Sequence, residues 1–247
     1  MAVAPVPRVL LTGGSGRLGT ELLNLMPGIF APTRQECDVL DARRLTEVVA
    51  AARPDVIVHA AAYTDVSRAE VDRARCWEVN VAGTRNVALA AREVGAKLLH
   101  VSTDYVFYGD TGGYREDDPP GPVRNYYALS KLAAEEVART APAHLVLRTS
   151  FRAREWPYPE AFEDLFTSQD YVDVIAPEIA SLIRHAAEVS YDTLHIGTER
   201  KSVLELARRR APDVRAASKS RAPVALPDDI SLDTARWLAL RSAWEVA

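Results

Sequence analysis

The stretch TGGSGRLG at residues 12–19 decides the fold of this 247-residue chain. It follows the apolar run Val9–Leu11 and precedes residues 20–26, whose leucines favour a helix. A strand, a glycine-rich turn and a helix in this order present backbone N–H groups and a helix N-terminus to a phosphate. The glycines fit two registers, one starting at Gly13 and one at Gly14, and both end at Gly19. The stretch therefore predicts a dinucleotide site, with a plain glycine-rich turn as the alternative.

The composition is that of a soluble globular protein, with 48% hydrophobic and 26% charged residues. A formal net charge of -4 gives no electrostatic reason to bind nucleic acid. Two cysteines, Cys37 and Cys76, are too few for a disulfide framework or a cysteine-based zinc site, and they suit a reducing cytoplasm. No run approaches the ~20 apolar residues that span a bilayer, and the first residues lack the basic region of a signal peptide. We therefore expect a cytoplasmic protein that binds neither nucleic acid nor membrane.

Strand and helix patterns alternate along residues 1–151. The predicted strands cover residues 6–11, 28–31, 55–60, 97–102 and 145–148. The predicted helices cover residues 18–26, 41–53, 71–94 and 126–139. Strands separated by helices imply right-handed crossovers and a parallel sheet with helices on both faces. The pattern predicts an α/β fold whose NAD(P)-binding domain, residues 1–151, is a Rossmann-type, doubly wound parallel sheet.

The pattern is less regular after residue 151. It predicts a helix over residues 177–189, a strand over 193–196, and a helix over 202–210 that is capped by Ser202. Ligands of open α/β sheets bind beyond the carboxyl ends of the strands. We therefore expect residues 152–247 to form a shortened substrate-binding lobe that is interleaved with the end of the sheet.

Tyr127 and Lys131 carry the predicted chemistry. They lie four residues apart on a predicted helix, so both side chains leave the same face. An ammonium beside a tyrosine lowers the pKa of the phenol, which makes it a usable acid near neutral pH. Ser102 and Thr103 end the preceding strand, where a hydroxyl can hydrogen-bond a carbonyl oxygen while Tyr127 delivers the proton. The set predicts reduction of a carbonyl, with a chance pair on a helix surface as the alternative.

The end of the second predicted strand bears on the choice of nicotinamide. A carboxylate there binds the ribose 2′-OH of NAD, whereas an arginine accommodates the 2′-phosphate of NADP. The chain has Arg34 at this place and no acid before Glu36. Arg34 therefore favours NADP over NAD, and a solvated surface arginine is the alternative interpretation.

Several ordered motifs extend this interpretation. They are TGGSGRLG (12–19), DVLD (38–41), AAAYTDV (60–66), NVAGT (80–84), STDYVF (102–107), YALSKL (127–132), LRTS (147–150) and LDT (232–234). With these motifs the chain resembles the extended short-chain dehydrogenase/reductases, and within them the dTDP-4-dehydrorhamnose reductase group. The match is nearly continuous over residues 6–151, thin over 152–190, and returns in pieces after that. It favours the glycine register that starts at Gly13.

The resemblance implies roles for the matching residues. Thr103, Tyr127 and Lys131 would be the catalytic triad, with Lys131 also holding the nicotinamide ribose. The other residues expected to contact the cofactor are Gly13, Gly16, Arg17 and Leu18 at the pyrophosphate, Asp38 and Val39 at the adenine, Ala60, Ala61, Ala62 and Tyr63 along the dinucleotide, and Ser102, Arg148, Thr149 and Ser150 around the nicotinamide. Asn80 is expected either to make structural hydrogen bonds or to lie near the active site.

The resemblance also narrows the reaction. Sugar-nucleotide 4,6-dehydratases are similar but carry Thr-Asp-Glu where this chain has Thr103-Asp104-Tyr105, so the glutamate expected to take part in eliminating water is missing. The implied activity is NAD(P)H-dependent reduction of a keto group on a sugar nucleotide, by analogy dTDP-4-dehydrorhamnose. Two alternatives stay open. One is a non-catalytic cofactor-binding subunit resembling the beta subunit of methionine adenosyltransferase, and the other is a nucleotide-sugar epimerase.

The substrate side is less defined. Asp104, Phe151 and Trp156 are candidate substrate residues, and a place in the core of the lobe is equally open for the two aromatic ones. The short segment after Ser150 suggests a smaller or different substrate. No metal site is expected: some reductases of this group form magnesium-linked dimers and Glu21 lies in the matching helix, but no partner carboxylates can be placed. A homodimer is an expectation from the resemblance.

Overall fold

A parallel sheet forms the centre of the protein, whose computed structural model describes residues 7–246. The strands are β1 (Val9–Thr12), β2 (Val56–His59), β3 (Lys97–Ser102), β4 (His144–Thr149), β5 (Phe151–Arg152), β6 (Glu160–Phe162), β7 (Phe166–Thr167), β8 (Asp170–Tyr171), β9 (Thr193–Ile196), β10 (Lys201–Ser202) and β11 (Arg215–Ala217). The α-helices are α1 (Arg17–Leu25), α2 (Ala42–Ala52), α3 (Val66–Ala69), α4 (Arg73–Trp77), α5 (Gly83–Val94), α6 (Tyr126–Ala138), α7 (Val172–Arg184), α8 (Val203–Arg208) and α9 (Ala235–Val246). The central sheet has the order β1-β2-β3-β4-β9, and each pairing within it is parallel. The predicted α/β class with a Rossmann-type sheet is confirmed.

Helices cover both faces of the sheet, so its strands bury side chains on both sides. Leu11 and Val58 belong to the core cluster that includes residues of α1, α7 and α9. Leu10 and Ile57 belong to a second cluster, which includes residues of α2 and α5. The parallel register pairs Leu10 with Ile57 and Leu11 with Val58, so each face receives matching apolar rows. The carboxyl ends of the strands then form one edge, where ligands of this fold bind.

The strand predicted over residues 28–31 is reduced to a single bridge beside β1. The Phe30 N–H donates to the Val9 carbonyl at 2.9 Å, and the Leu11 N–H donates to the Phe30 carbonyl at 2.9 Å. Pro32 follows closely and has no N–H to extend the ladder. The predicted four-residue strand is therefore wrong in extent.

The helix predicted over residues 71–94 is present from Arg73 to Val94 without a break, but its hydrogen bonding changes along the way. It consists of α4, a π-helical turn over Glu78–Ala82, and α5. A π-helical turn inserts an extra residue, and such turns often occur at functional sites. Here it carries the buried Asn80, whose amide binds the backbone of Tyr63 after β2.

Helix α7 begins five residues before the predicted start at Pro177. Proline is common in the first turn of a helix and unfavourable in its interior, yet Pro177 lies inside α7. Fully buried side chains on both sides of the proline, Ile175 and Ile179, pack against the sheet. The apolar burial outweighs the single hydrogen bond that proline cannot make.

The C-terminal lobe, as the term is used below, consists of the small sheets β6–β11 and β7–β10 with helix α8. A capping box starts α8, with the Ser202 hydroxyl and the Glu205 carboxylate each accepting the other's backbone N–H, which confirms Ser202 as the cap. Strand β9 and helices α7 and α9 return to the main core. The division at residues 151 and 152 stays a prediction. Within residues 7–246, no helix has the length and apolar character needed to cross a membrane.

Candidate active site

The glycine turn after β1 has a backbone that only glycine fits. Gly13 has a φ of +80°, and a Cβ there would lie 2.7 Å from the Ala61 nitrogen. A Cβ at Gly19 would lie 2.3 Å from the Gly13 carbonyl oxygen. Gly16 stands at the N-cap of α1, where no side chain caps the helix. The first N–H groups of a helix lack intrahelical partners and can bind a phosphate, so this turn fits the pyrophosphate of a dinucleotide.

An ion pair lies just after the single bridge that Phe30 makes with β1. The Arg34 Nε lies 3.0 Å from the Asp38 Oδ2, and the Arg34 side chain is 70% exposed. Burial alone would raise the pKa of Asp38, but hydrogen bonds from the Leu40 N–H and from Arg34 bring it below its usual value. Glu36 accepts from the N–H and the hydroxyl of Thr33 at 2.8 Å, so this acid is already bound locally. Arg34 is therefore exposed to solvent on one side and paired with Asp38 on the other.

A wall of small residues follows β2. Ala60, Ala61 and Ala62 are half-buried, and Tyr63 is fixed because its N–H donates to the Asn80 Oδ1 at 2.7 Å. Asn80 also donates to the Ser130 hydroxyl at 2.9 Å, on the helix that carries Tyr127. Asn80 thus makes structural hydrogen bonds that connect the expected cofactor wall to α6.

Thr103, Tyr127 and Lys131 all lie at the carboxyl end of β3. Their side chains are largely buried, and Tyr127 packs edge-on against the Tyr105 ring at 6.3 Å between ring centres. The Thr103 hydroxyl accepts from the Tyr105 N–H at 3.2 Å and is 3.0 Å from the Asp104 Oδ1. The structure therefore brings the three predicted catalytic residues to one place.

The expected electrostatic effect of Lys131 on Tyr127 is wrong in this structure. The Lys131 Nζ donates to the Val101 carbonyl at 2.8 Å and lies 3.3 Å from the His100 Nε2, so it is turned towards β3. Burial, followed by the nearby Asp104, raises the pKa of Tyr127 well above its usual value. Burial lowers the pKa of Lys131 to about 8. Tyr127 and Lys131 share one face of α6, but the Lys131 ammonium binds acceptors on β3 and not the Tyr127 hydroxyl.

Asp104 lies beneath Thr103 and is completely buried. Its Oδ2 has no hydrogen-bond partner among the described residues. Burial raises the pKa of Asp104 to about 7, although the hydroxyls of Thr103 and Ser150 act in the opposite direction. The structure thus places this candidate substrate residue in contact with the Thr103 hydroxyl, at 3.0 Å.

The side chains of Arg148 and Ser102 are turned into the interior. The Arg148 Nη2 lies 2.8 Å from the Glu135 Oε2, and both side chains are almost completely buried. The Ser102 hydroxyl donates to the Glu135 Oε1 at 2.6 Å. Glu135 thus binds the side chains of both residues, and their contacts with the cofactor stay predictions. Glu135 was missed, although its spacing of four from Lys131 on a helix is a signal that could have found it.

The remaining predicted residues take different positions. Thr149 is buried with a hydroxyl that has no partner among residues 7–246, and Ser150 is half-buried near Asp104. Phe151 packs against the main core. Trp156 packs against the core of the C-terminal lobe, and the Arg152 guanidinium lies 5.1 Å from its ring centre. The structure thus favours core roles for the two aromatic residues.

Glu21 makes an ion pair with Arg154. Its two carboxylate oxygens each lie 2.7 Å from a nitrogen of Arg154. No group of three or more histidine, cysteine, aspartate or glutamate side chains within residues 7–246 is arranged to hold a metal ion.

Comparison with known proteins accords with this geometry. The family described as "RmlD substrate binding domain" matches residues 7–230. The chain belongs to this family. The resemblance to the dTDP-4-dehydrorhamnose reductase group is thereby confirmed.

Individual relatives carry the same name. The chain is 45% identical over 140 residues to a dTDP-4-dehydrorhamnose reductase of Streptomyces griseus, covering 55% of this chain and 46% of the relative. It is 36% identical over 178 residues to one of Mycobacterium tuberculosis, covering 68% of this chain and 54% of the relative. The chain thus spans about half the length of the curated relatives it matches.

A solved structure extends the comparison over nearly the whole chain. It is the dTDP-4-dehydrorhamnose reductase from Bacillus anthracis str. Ames in complex with NADP, with a TM-score of 0.85 and 30% identity. The alignment covers 96% of this chain and 93% of that one.

Proposed function

We propose that this protein reduces a keto group on a sugar nucleotide with NADPH. The observation that carries the proposal is the meeting of Thr103, Tyr127 and Lys131 at the sheet edge that also holds the glycine turn. The names of the relatives and the NADP complex of the Bacillus anthracis reductase support it.

The cofactor would be held by the backbone of the Gly13–Gly16 turn, with Arg34 at the 2′-phosphate. When bound, it supplies the hydride that reaches the carbonyl carbon. Tyr127 donates its phenolic proton to the carbonyl oxygen, and its raised pKa keeps that proton in place through neutral pH. Thr103 donates a hydrogen bond to the same oxygen. Lys131 stabilises the phenolate that remains, once its Nζ turns from the Val101 carbonyl.

The preference for NADP is part of the proposal. Arg34 is the exposed cation at the end of the second strand, and Glu36 is engaged by Thr33. A ligand stabilises the folded state to which it binds. NADPH should therefore raise the melting temperature more than NADH at equal concentration, and an equal or larger effect of NADH would contradict the preference.

The substrate is proposed by analogy with the relatives as dTDP-4-dehydrorhamnose or a smaller keto-sugar nucleotide. The test is NADPH oxidation with a panel of such substrates by the wild type, Tyr127→Phe and the matched control Tyr126→Phe. We expect Tyr127→Phe to lose about 10³-fold in kcat, since general acid catalysis contributes 10²–10⁴-fold. Tyr126→Phe should stay near the wild type, because it removes a neighbouring hydroxyl outside the triad. Equal turnover by Tyr127→Phe would contradict the proposed role.

Purification of the protein also distinguishes the two alternative functions, a regulatory subunit and an epimerase. Co-elution with a larger enzyme, without turnover of any keto-sugar, would indicate a regulatory subunit. Stoichiometric nicotinamide retained by the purified protein would indicate an epimerase. Sizing of the purified protein tests the proposed homodimer. The buried, unpaired thiols of Cys37 and Cys76 support the proposed cytoplasmic location.

A further inference from the structure

The Thr103 hydroxyl has a limited set of hydrogen bonds to offer. A threonine hydroxyl donates one hydrogen bond and accepts up to two. The Tyr105 N–H fills one acceptor position at 3.2 Å, and the Asp104 Oδ1 lies 3.0 Å away. If Asp104 is a carboxylate, it can only accept, so it takes the one proton of Thr103. Thr103 would then have no proton to offer a substrate carbonyl.

The surroundings of Asp104 do not favour a carboxylate. The side chain is fully buried, and its Oδ2 has no partner within the described part of the chain. The ionisable groups that face it are the phenols of Tyr127 on α6 and of Tyr105, and the Ser150 hydroxyl follows β4. Arg152 acts on Tyr105 and is not among the groups that lower the pKa of Asp104. Burying a carboxylate without a cation costs much more free energy than burying the neutral acid.

We propose that Asp104, as a neutral carboxylic acid, donates its proton to the Thr103 Oγ1 and so frees the Thr103 proton for the substrate carbonyl. In this arrangement Thr103 accepts from the Tyr105 N–H and the Asp104 O–H, and donates once to the ketone. Asp104 is a positioning residue that acts through Thr103. It keeps its proton throughout, because Tyr127 supplies the proton that ends on the alcohol. The inference rests on the proposed reductase function.

The proposed hydrogen bonds make kcat depend on pH through the protonation of Asp104. Below the pKa of Asp104 the acid donates and Thr103 is free to bind the ketone. As the pH rises through that pKa, which burial brings to about 7, the carboxylate captures the Thr103 proton. The value of kcat should therefore fall on the alkaline side of pH 7.

The first test compares pH profiles of kcat and KM for the wild type, Asp104→Asn and Asp104→Leu. Asparagine has the same shape and an N–H donor at every pH, so Asp104→Asn should remain active and lose the decline above pH 7. Asp104→Leu should lose at least about tenfold in kcat, since removing one oriented donor is worth that much or more. In a Thr103→Val background, Asp104→Asn should have no further effect on kcat. An unchanged alkaline decline in Asp104→Asn, or its complete inactivity while folded, would overturn the inference.

The second test measures the protonation state of Asp104 directly, in the protein without substrate. An infrared pH titration of the wild type minus Asp104→Asn should show a carboxylic C=O stretch that disappears near pH 7. The subtraction removes the buried Glu116, whose pKa burial also raises. Absence of this signal while keto-sugars are reduced would overturn the inference and leave the reductase standing. Its presence without reduction of any keto-sugar would overturn the proposed function and, with it, the catalytic meaning of the arrangement.

Discussion

Around the central sheet, buried apolar residues such as Leu10, Leu11 and Ile57 carry the packing, whereas in and around the C-terminal lobe charged side chains take a larger part. There the Arg200 Nε lies 2.5 Å from the Asp229 Oδ2, and its guanidinium stacks 3.9 Å from the Phe166 ring centre. The lobe's own apolar cluster contains few fully buried residues, among them Val203 and Ala207.

This difference teaches where the molecule tolerates change. Apolar close packing leaves little freedom, because a change of one methylene is felt. Half-exposed ion pairs contribute little each and can be exchanged. The residues proposed to bind the cofactor and to act in catalysis lie in the closely packed region, whereas the sugar is expected to bind beside the C-terminal lobe.

Breaking the buried ion pair of the central half should have the largest effect. Arg148→Met removes the cation nearest to the buried Glu135 and leaves it with the Ser102 hydroxyl and the more distant Arg139 Nη2 at 3.7 Å, which costs about 3 kcal/mol of unfolding free energy. Urea unfolding of the variant measures the loss. The double variant Arg148→Met/Glu135→Leu should recover much of it, because it removes both charges. A loss below about 1 kcal/mol for the single variant would contradict the comparison.

A side chain in the glycine turn should have the next largest effect. Gly19→Ala places a Cβ 2.3 Å from the Gly13 carbonyl oxygen, so backbone must move, at a cost of about 3 kcal/mol. NADPH affinity should fall with it. Gly28→Ala is the control, since a Cβ there meets nothing within 4 Å. Fluorescence titration with NADPH and thermal unfolding check both variants, and similar behaviour of the two would count against the assigned role of the turn.

Removing the Arg34 charge, after the Phe30 bridge, should change the affinity for NADPH relative to NADH and leave the unfolding free energy nearly unchanged. Arg34→Ala removes the cation proposed for the 2′-phosphate, so the Kd for NADPH should rise about tenfold, which is 1.4 kcal/mol, while the Kd for NADH stays constant. Arg43→Ala is the control, because Arg43 is another exposed arginine that forms an ion pair with an acid four residues on, Glu47. An equal change for both cofactors would rule out the specific role.

The smallest effect is expected in the lobe. Arg200→Ala removes a pair whose arginine is 53% exposed, so the unfolding free energy should fall by less than about 1 kcal/mol. The stacking on Phe166 contributes within the same range. A loss as large as that of Arg148→Met in the same urea experiment would remove the distinction between the two regions.

Much of the catalytic half follows from local patterns in the sequence. The turn at residues 12–19, strand β3 and helix α6 each have a signal within a short window, and the spacing of Tyr127 and Lys131 places both on one face. The caps Asp41 of α2 and Ser202 of α8 are likewise local, since each accepts a backbone N–H from the residue three positions later.

What the sequence did not reveal depends on distant partners. The start of α7 before Pro177 follows from burial against the sheet, and the direction of Lys131 follows from the Val101 carbonyl. The Glu135 contacts join α6 to Ser102 on β3 and Arg148 on β4, which no window of neighbouring residues contains. Patterns report which face a residue takes, and tertiary packing decides what it touches there.

Glu135 also has a mechanical consequence. Because one carboxylate holds β3 through Ser102 and β4 through Arg148, the helix that carries Tyr127 and Lys131 cannot slide along the sheet without breaking a buried charge pair. The proposed proton donor, Tyr127, is therefore held at a fixed position on the sheet, and we expect differences in substrate to be accommodated by the C-terminal lobe.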